Sequence, residues 1–432
     1  MDRDNESLEY SLYVPCAAGV EEWLVAELRV ALGAGISVQA GRGGARVHLA
    51  DAAGCADAAL RINLESRLGQ RVLWCVAHAG YRQEDDLYAL ARAVHWGDWI
   101  TPRQTLRVDV TSQHSPLRSL NFAALRIKDA ICDQLRETQG ERPNVDTLRP
   151  ELPVLLHLGP EDATLYVDTS GEALFKRGWR EDTGEAPLKE TLAAAMLAAA
   201  QWQGRAEDGP LLDPCCGAGT IAIEAAQMAC GIAPGSQRRF AFERLGPFRE
   251  LQRAWQDLRD AAQARVHAPA VPIYAGDVAF RMTDFATRNA ERAGVRHAIE
   301  FKTGDALQRP PPAAAGTLRH NPPYGERIGA KGTLGTPGQA RTAARESFEQ
   351  GTPKEFFGAL ASHWKRSYSG WSAWILSPDM KLPGVMRLKE SRRVPMWNGP
   401  IECRLFRFDM VAGSARAIAP SAPPTASTAP KS

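Results

Sequence analysis

The sequence lacks several features that would assign it to a special class of protein. Its eight cysteines include no Cys-x-x-Cys pair, which argues against a zinc site and a disulfide framework and indicates reduced, mostly buried thiols. No apolar run approaches the length of a bilayer span, and the opening MDRDNESLEY is polar and acidic, unlike a secretory signal. No internal repeat is visible. We therefore expect a cytoplasmic globular protein that contacts no membrane and binds no metal.

The chain also has little net charge, +2 at pH 7. A balance this mild does not decide for or against a nucleic-acid partner, because a basic face can be offset by acidic surface elsewhere. With 432 residues, of which 44% are hydrophobic, the chain is long enough for about two or three domains with substantial cores.

The order of strand-like and helix-like segments divides the chain. Residues 10–50 alternate strand-like pieces with the helix-like GVEEWLVAELRVALG, and residues 60–170 form a second α+β unit that ends in a strand pair. From an alanine-rich helix at 188–202, strand and helix alternate to about residue 380, which predicts an α/β sheet. The predicted parts are 8–58, 59–171 and 172–410, with a disordered tail at 411–432.

The stretch LLDPCCGAGTIAIEAA, residues 211–226, is the strongest site signal in the α/β part. An apolar strand ends at Asp213, Gly217 and Gly219 form a turn, and Thr220 opens a helix. This arrangement collects backbone N–H groups at the carboxyl end of a strand, where small ligands bind. A lone Gly-x-Gly is also common in plain tight turns, so the motif needs support from other elements.

Acidic residues at the next two strand ends supply that support. Asp277 ends the strand PIYAGD, at the position that holds a ribose diol in doubly wound folds. Asp305 follows IEFKTG and is suited to a hydrogen bond with an adenine edge. Each acid alone is commonly a helix cap or a solvated residue. In order, they predict a nucleoside cofactor site made of Asp213, Cys215, Gly217, Gly219, Thr220, Glu224, Asp277, Asp305, Ala306 and Asn321.

The segment HNPPYG places a hydrogen-bonding side chain, two prolines and an aromatic ring in succession. An exocyclic amine is a poor nucleophile because its lone pair is delocalised into the base. The side-chain oxygen of Asn321 and the carbonyl of Pro322 can each accept an amine N–H, which aims the lone pair at a methyl donor. Pro322 and Pro323 fix the backbone, and Tyr324 offers a stacking face to an unstacked base. Methyl transfer by these four predicted catalytic residues requires neither a metal nor a catalytic histidine. A Pro-Pro turn with a packed tyrosine is the structural alternative.

Taken together, these motifs resemble those of the class I S-adenosylmethionine-dependent methyltransferases, in particular the THUMP-domain RNA guanine-N2 methyltransferases of large-subunit ribosomal RNA. The resemblance covers roughly residues 10 to 410 and rests on FKRGWREDTGEAPLKETLAAAML, LLDPCCGAGTIAIEAA, APGSQRRFAFER, NPPYGERIG and LRSLNFAALRIKDAICD. It implies an α/β fold, a Rossmann-like seven-stranded class I methyltransferase domain preceded by α+β ferredoxin-like and THUMP domains. It also implies S-adenosyl-L-methionine as cofactor and an antiparallel last strand, which agrees with a carboxyl-terminal hairpin predicted to turn at Asn398-Gly399.

Two stretches depart from the family pattern. The strand before NPPY is usually apolar in this family, whereas here it carries Arg319 and His320, so we expect its end to be irregular. The polar stretch 329–352 is long for a connection, which favours a mobile loop or lid.

Candidate RNA contacts fall in three places. They are Arg118, Asn121, Phe122 and Lys128 in a helical region that matches THUMP domains by pattern, Lys176 and Arg177 at a domain junction, and Arg392 and Arg393 in the basic hairpin. Solvated helices and hairpins carry such charges routinely. We expect the amino half to hold the RNA and the carboxyl half to bind the cofactor on its own.

The sequence thus predicts transfer of a methyl group to the exocyclic N2 of a guanine in large-subunit (23S) ribosomal RNA. Other amino methyltransferases, acting on transfer RNA guanine-N2, on adenine-N6 or on a glutamine amide, are the alternatives, together with a non-catalytic RNA-binding assembly factor. The THUMP-like amino half favours RNA. The sequence carries no signal for an oligomeric state.

Overall fold

The structure is a computed structural model that describes residue 8 and residues 10–184, 187–322 and 353–411. Pro323, Tyr324, the predicted loop at 329–352 and the predicted tail after residue 411 lie outside the described residues. The helices are α1 (Glu21–Leu32), α2 (Ala52–Glu65), α3 (Glu84–Arg92), α4 (Leu120–Gln139), α5 (Glu190–Ala199), α6 (Thr220–Ala229), α7 (Gln252–Ala264), α8 (Phe280–Arg292), α9 (Pro353–Ser367) and α10 (Leu382–Met386). The strands are β1 (Ser11–Pro15), β2 (Ser37–Gly41), β3 (Gly44–His48), β4 (Leu73–Gly80), β5 (Thr105–Ser112), β6 (Asn144–Val145), β7 (Leu152–Leu158), β8 (Asp162–Asp168), β9 (Leu211–Asp213), β10 (Ile273–Asp277), β11 (Ile299–Thr303), β12 (Gly316–His320), β13 (Trp371–Ser377), β14 (Arg392–Asn398) and β15 (Ile401–Asp409).

The amino half is built on one sheet of strand order β2-β3-β1-β4-β8-β7-β5-β6. The two predicted α+β units are continuous in it, because β1 pairs antiparallel with β4 through Leu12 and Trp74. Alternating side chains of β1, among them Leu12 and Val14, are buried in the core, as strand periodicity requires. Helix α2 runs through residues 58 and 59, so the boundary predicted there falls inside a helix.

The carboxyl half is built on a second sheet of order β11-β10-β9-β12-β13-β15-β14. The strands from β11 to β13 are parallel, whereas β15 is antiparallel to both its neighbours. The predicted seven-stranded sheet with an antiparallel last strand is therefore confirmed. The hairpin turns one residue later than predicted, because Asn398 pairs with Ile401 and leaves Gly399 and Pro400 as the turn, with Gly399 at φ 63°.

The strand before the NPPY segment is regular, so the prediction of an irregular end was wrong. Arg319 and His320 belong to β12, pair with β13 in parallel register and are both fully buried. The guanidinium carbon of Arg319 lies 4.9 Å from the ring centroid of Trp374, and His320 packs between aromatic rings of α9. Aromatic rings therefore surround the two polar side chains of this buried strand, and the ring of Trp374 can attract the guanidinium of Arg319. Burial lowers the pKa of His320 to about 3.

The two halves share a core instead of folding side by side. The rings of Trp74 and Phe248, one from each half, contact each other edge to face with centroids 5.9 Å apart, and Phe248 also packs on Phe242. The backbone N–H of Gly246 donates to the carbonyl of Trp99 across the same boundary at 2.8 Å. A fragment beginning at residue 172 would expose these rings, which argues against a carboxyl half that binds the cofactor on its own.

All eight cysteines are free thiols, and all except the partly exposed Cys215 are buried, which confirms the prediction of reduced, mostly buried thiols. Among the helices that the structure describes, none has the length and apolar character needed to span a membrane.

Candidate active site

The candidate site lies at the carboxyl edge of the second sheet, where five parallel strands end side by side. The register places the end of β9 at Asp213 between the end of β10 at Asp277 and the end of β12 just before Asn321. Asp305 follows the outer strand β11. Open α/β sheets bind their ligands at this edge.

Two glycines shape the turn between β9 and α6. Gly217 and Gly219 have φ of 51° and 89°, in the left-handed region that favours glycine. A Cβ on Gly219 would lie 3.0 Å from the Cβ of Ala286, so the glycine also allows α8 to pack against the turn. Helix α6 then begins at Thr220 without a side-chain hydrogen bond from its N-cap Gly219. Its first N–H groups remain available for a ligand.

Asp277 connects strand β10 to this turn. Its Oδ2 accepts a hydrogen bond from the backbone N–H of Gly217 at 3.0 Å, and its Oδ1 accepts one from Ala279 at 3.0 Å. Burial raises the pKa of the carboxyl, and hydrogen bonds from the backbone of Ala279, Gly217 and Val278 oppose that rise. A carboxylate has about four acceptor positions, so it can still accept a ligand hydroxyl. The ribose contact stays a prediction.

Asp213 is almost completely buried, and its Oδ1 has no hydrogen-bond partner in the part of the chain that the structure describes. Burial, and after it the charge of Asp277, raises the pKa of this carboxyl to about 8. A buried acceptor without a donor is costly unless a proton or a ligand satisfies it. Asp213 is therefore suited to a cationic donor such as an ammonium group.

Asp305 caps the turn that follows β11. Its Oδ1 accepts a hydrogen bond from the backbone N–H of Leu307 at 2.8 Å, and its Oδ2 accepts one from the side chain of Gln308 at 3.3 Å. Asp305 is half-buried, and the neighbouring Ala306 is buried. The capping role is established by these contacts, and the predicted adenine contact of Asp305 and Ala306 stays a prediction.

Glu224 does not lie in the site, so the prediction that it binds the cofactor was wrong. It is fully buried one turn into α6, where its Oε1 accepts a hydrogen bond from Nε of Arg177 at 3.0 Å. Its Oε2 accepts one from Nη1 of Arg67, a residue of the amino half, at 3.4 Å. The carboxylate joins the two halves of the protein.

The same contacts exclude Arg177 from an RNA surface, and that prediction was wrong too. Its side chain is 2% exposed. Besides Glu224, its N–H groups donate to the backbone carbonyls of Leu174 at 2.9 Å and Arg67 at 2.7 Å. An arginine with this many internal acceptors is a structural cation.

Two residues outside the predicted cofactor set, Arg180 and Asn289, contact the glycine turn. Nη2 of Arg180 donates to Oγ1 of Thr220 at 2.7 Å, and Nδ2 of the buried Asn289 donates to the carbonyl of Ala218 at 3.0 Å. Arg180 stands in the FKRGWR motif, but no pattern separates it from the neighbouring arginine. Asn289 lies inside α8 without a motif around it, so no sequence signal could have identified it.

Asn321 directly follows β12, and its Oδ1 is shielded from water and has no hydrogen-bond partner among the described residues. Pro322 beside it is buried. The structure thus places two of the four predicted catalytic residues at the carboxyl edge, next to the strand of Asp213.

The predicted RNA contacts at the start of α4 lie in the amino half. Arg118, Asn121 and Phe122 are exposed near the start of α4, and Lys128 is partly buried beside Asp129. This end of the helix lies beyond the end of β5. The residue before β5, Gln104, contacts the carboxyl half, donating to the carbonyl of Arg244 at 2.9 Å. The eight residues of β5 correspond to about 26 Å between the Gln104 contact and the end of the strand that leads to α4.

The other predicted RNA contacts are exposed but already have partners. Arg392 donates to the carbonyl of Ala199 at 3.3 Å, Arg393 pairs with Glu390 at 2.6 Å, and Lys176 pairs with Glu172 at 2.7 Å. Exposed pairs of this kind are weak and can exchange partners. These contacts stay predictions.

A parallel sheet with one reversed strand, a glycine turn after its first strand and NPPY after its fourth define a class I methyltransferase domain. Family models agree with the architecture: residues 11–73 match the RlmL ferredoxin-like domain, 81–168 the THUMP domain and 177–339 the RMKL-like methyltransferase domain. The chain is built from the domains of THUMP-domain class I methyltransferases, as the sequence resemblance implied.

The chain is similar to the Ribosomal RNA large subunit methyltransferase K/L of Shewanella baltica (strain OS195), with 37% identity over 370 residues, which are 84% of this chain and 49% of that protein. It spans about half the length of the curated relatives it matches. The crystal structure of SMU.472 complexed with SAH superposes with a TM-score of 0.76 at 25% identity, covering 93% of this chain and 98% of that chain. A predicted N6-adenine-specific DNA methylase from Listeria monocytogenes also has a TM-score of 0.76 at 25% identity, covering 92% and 96%.

Proposed function

We propose that this chain transfers a methyl group from S-adenosyl-L-methionine to the exocyclic N2 of a guanine in large-subunit ribosomal RNA. The name of the K/L relatives and the THUMP domain beside the methyltransferase domain support this substrate. The observation that carries the chemistry is Asn321 Oδ1, an acceptor without a partner among the described residues at the edge where the strand of Asp213 also ends. A ribosomal RNA substrate places the enzyme in the cytoplasm.

The residues at the carboxyl edge fit the proposed cofactor. Asp213 would hold its ammonium group, the turn at Gly217 and Gly219 with Thr220 would approach its amino-acid part, and Asp277 would accept its ribose hydroxyls. The structural relative SMU.472 was crystallised with SAH, the product that such a cofactor leaves after transfer. When bound, S-adenosyl-L-methionine supplies a methyl group on a positively charged sulfur, which is a good leaving group without help from a metal.

Asn321 and Pro322 orient the target amine. The Oδ1 of Asn321 and the carbonyl of Pro322 each accept one N–H, so that the nitrogen lone pair is turned away from the base ring and towards the methyl group. The nitrogen loses one proton to water as the new N–C bond forms.

Purified full-length protein, labelled S-adenosyl-L-methionine and unmodified large-subunit ribosomal RNA test the proposal. We expect the label in N2-methylguanosine, and labelling slowed about a hundredfold or more in an Asn321→Ala variant that still binds SAH. Parallel reactions receive transfer RNA, DNA or protein in place of the ribosomal RNA. Label that appears only in one of these would contradict the proposed substrate.

A second candidate is methylation of adenine N6. The Listeria monocytogenes protein with a TM-score of 0.76 is named as an N6-adenine-specific DNA methylase, and the acceptor of Asn321 would serve an adenine amine equally well. The THUMP domain favours RNA over DNA. The same nucleoside analysis separates the two, because adenine methylation would place the label in N6-methyladenosine.

A further inference from the structure

The turn 146–149 presents an apolar side chain and a cation to solvent near the junction of the two halves. Leu148 is 87% exposed, and Arg149 beside it is exposed too. The turn is fixed, because Oδ1 of Asp146 accepts the backbone N–H groups of Leu148 at 2.8 Å and Arg149 at 3.0 Å. Nη1 of Arg107 also donates to the carbonyl of Thr147 at 2.8 Å. A single exposed leucine is common, so the surroundings decide what this one does.

Cations from three separate segments lie around this turn. Lys176, from the segment that connects the halves, pairs with Glu172, and its hydrogen bond is the largest influence that lowers the pKa of that carboxyl. Arg149 is close enough to lower the same pKa and forms no ion pair among the described residues. Arg244, from the carboxyl half, lies 3.7 Å from Glu151, two residues beyond Arg149. The surface of Leu148, Arg149, Lys176 and Arg244 is called the seam surface below.

The seam surface lies at the beginning of β5, because the backbone N–H groups of Asp146 and Glu151 donate to the carbonyls of Leu106 at 3.2 Å and Thr105 at 3.1 Å. Lys176 is four residues from Arg180, which donates to Thr220 of the glycine turn, so the chain between them spans at most about 14 Å. The α4 contacts lie beyond the other end of β5. An RNA that contacts both α4 and the carboxyl half can pass over the junction of the halves, where Leu148 and Arg149 are exposed.

We propose that the seam surface is an RNA contact, in which Leu148 packs against the face of an unstacked base and Arg149, Lys176 and Arg244 hold neighbouring phosphates. Cations position a nucleic-acid backbone, and apolar side chains between them recover part of the cost of unstacking a base. This inference rests on the proposed function. It identifies a surface at which residues of both halves contact the same RNA.

Three variants of the full-length chain test it, with two matched controls. Leu148→Ser, Leu148→Trp and Arg149→Gln are compared with Val30→Ser, which changes another 87% exposed apolar residue, and with Arg42→Gln, which changes an exposed arginine of the β2–β3 hairpin. The probe is protein-free large-subunit ribosomal RNA, with its dissociation constant measured between about 50 and 200 mM salt. Calorimetry with SAH and thermal melting are measured for every variant.

The expected results separate the apolar from the ionic contact. Leu148→Ser weakens RNA binding about fivefold with an unchanged salt dependence, and Leu148→Trp binds at least as tightly as the unsubstituted protein, because a ring stacks better than an aliphatic chain. Arg149→Gln weakens RNA binding and reduces the slope of log affinity against log salt by about one. SAH affinity and melting temperature stay at the values of the controls.

Two results would overturn the inference while leaving the proposed function intact. The first is that the Leu148→Ser and Arg149→Gln variants bind RNA with the same affinity and salt slope as the controls, while the unsubstituted protein methylates the RNA normally. The second is a parallel loss of SAH affinity, since that would place the effect in the fold. An unsubstituted protein that neither binds nor methylates the RNA overturns the proposed function, and the RNA role of the seam surface with it.

Discussion

The Oε1 of Glu224 lies 3.0 Å from Nε of Arg177, and both side chains are almost completely buried. Glu224 belongs to the helix that begins at the glycine turn, and Arg67 of the amino half approaches its other oxygen at 3.4 Å. The helix beside the proposed cofactor site is therefore fastened to the amino half by buried charges. The amino half thereby supports the carboxyl edge as well as carrying the THUMP domain.

Replacing Glu224 with alanine should destabilise the protein strongly. The change leaves the buried Arg177 without its charged partner, which costs about 3–5 kcal/mol in comparable buried pairs. Denaturant unfolding of the full chain measures it. The control is Glu172→Ala, which breaks the exposed pair with Lys176 and should cost less than about 1 kcal/mol. Equal losses in the two variants would contradict the structural role of Glu224.

Replacing Asp277 with alanine should weaken SAH binding by about 1.5–3 kcal/mol, the value of hydrogen bonds to a charged group. The carboxylate both holds the glycine turn through Gly217 and would accept ribose hydroxyls. Calorimetry gives the affinity. The control is Asp284→Ala, which changes an exposed carboxylate on α8, the helix that follows β10. Unchanged affinity in the Asp277 variant would remove this residue from the site.

Replacing Asn321 with alanine should separate binding from transfer. SAH affinity is expected to stay within a few-fold, whereas the methylation rate falls by about a hundredfold or more, because the lost acceptor acts on the amine in the transition state. Asn321→Asp keeps an oxygen acceptor and should retain part of the rate. A variant that loses SAH affinity and rate equally would place Asn321 in the cofactor pocket.

The affinity for SAH should rise with pH below about 8. Burial, and then the charge of Asp277, raises the pKa of Asp213 to about 8, so the folded protein keeps a proton that the unfolded chain releases near pH 4. If the cofactor ammonium binds the ionised carboxylate, binding releases this proton, and affinity increases by up to about tenfold per pH unit until it levels off above pH 8. Asp213→Asn should flatten this profile.

The same pKa shift gives Asp213 a definite effect on stability. Between pH 4 and 8 the folded protein binds more protons at this carboxyl than the unfolded chain, so its contribution to stability falls as pH rises through that range. Thermal melting of the unsubstituted protein and Asp213→Asn without ligand measures the difference. In the binding experiment, an SAH affinity that depends on pH in the same way in Asp213→Asn and in the unsubstituted protein would show that Asp213 does not face the cofactor.

Sequence reasoning located the carboxyl edge because local patterns determine it. Apolar runs that stop at Asp213 and Asp277 predict strand ends, and glycines after Asp213 predict the turn that the structure shows. It could not foresee that β12 stays regular through Arg319. That side chain is accommodated by Trp374 on the neighbouring strand, a contact that only the sheet register creates.

The role of Glu224 could not be predicted from the sequence for a similar reason. A glutamate four residues into the helix after the glycine turn has the position of a ligand-binding residue, and its chemistry does not separate that role from an ion pair. Its partner Arg67 is 157 residues away along the chain. Only the packing of the amino half against α6 brings the two together.

Nucleoside analysis of large-subunit ribosomal RNA, from cells with the gene, without it and without it but supplied with Asn321→Ala, tests the central claim most directly. We predict an N2-methylguanosine that is present with the gene, absent without it, restored by the unsubstituted protein and not restored by the variant. N2-methylguanosine that is unchanged by loss of the gene, or full restoration by Asn321→Ala, would contradict methyl transfer to guanine N2 at this site.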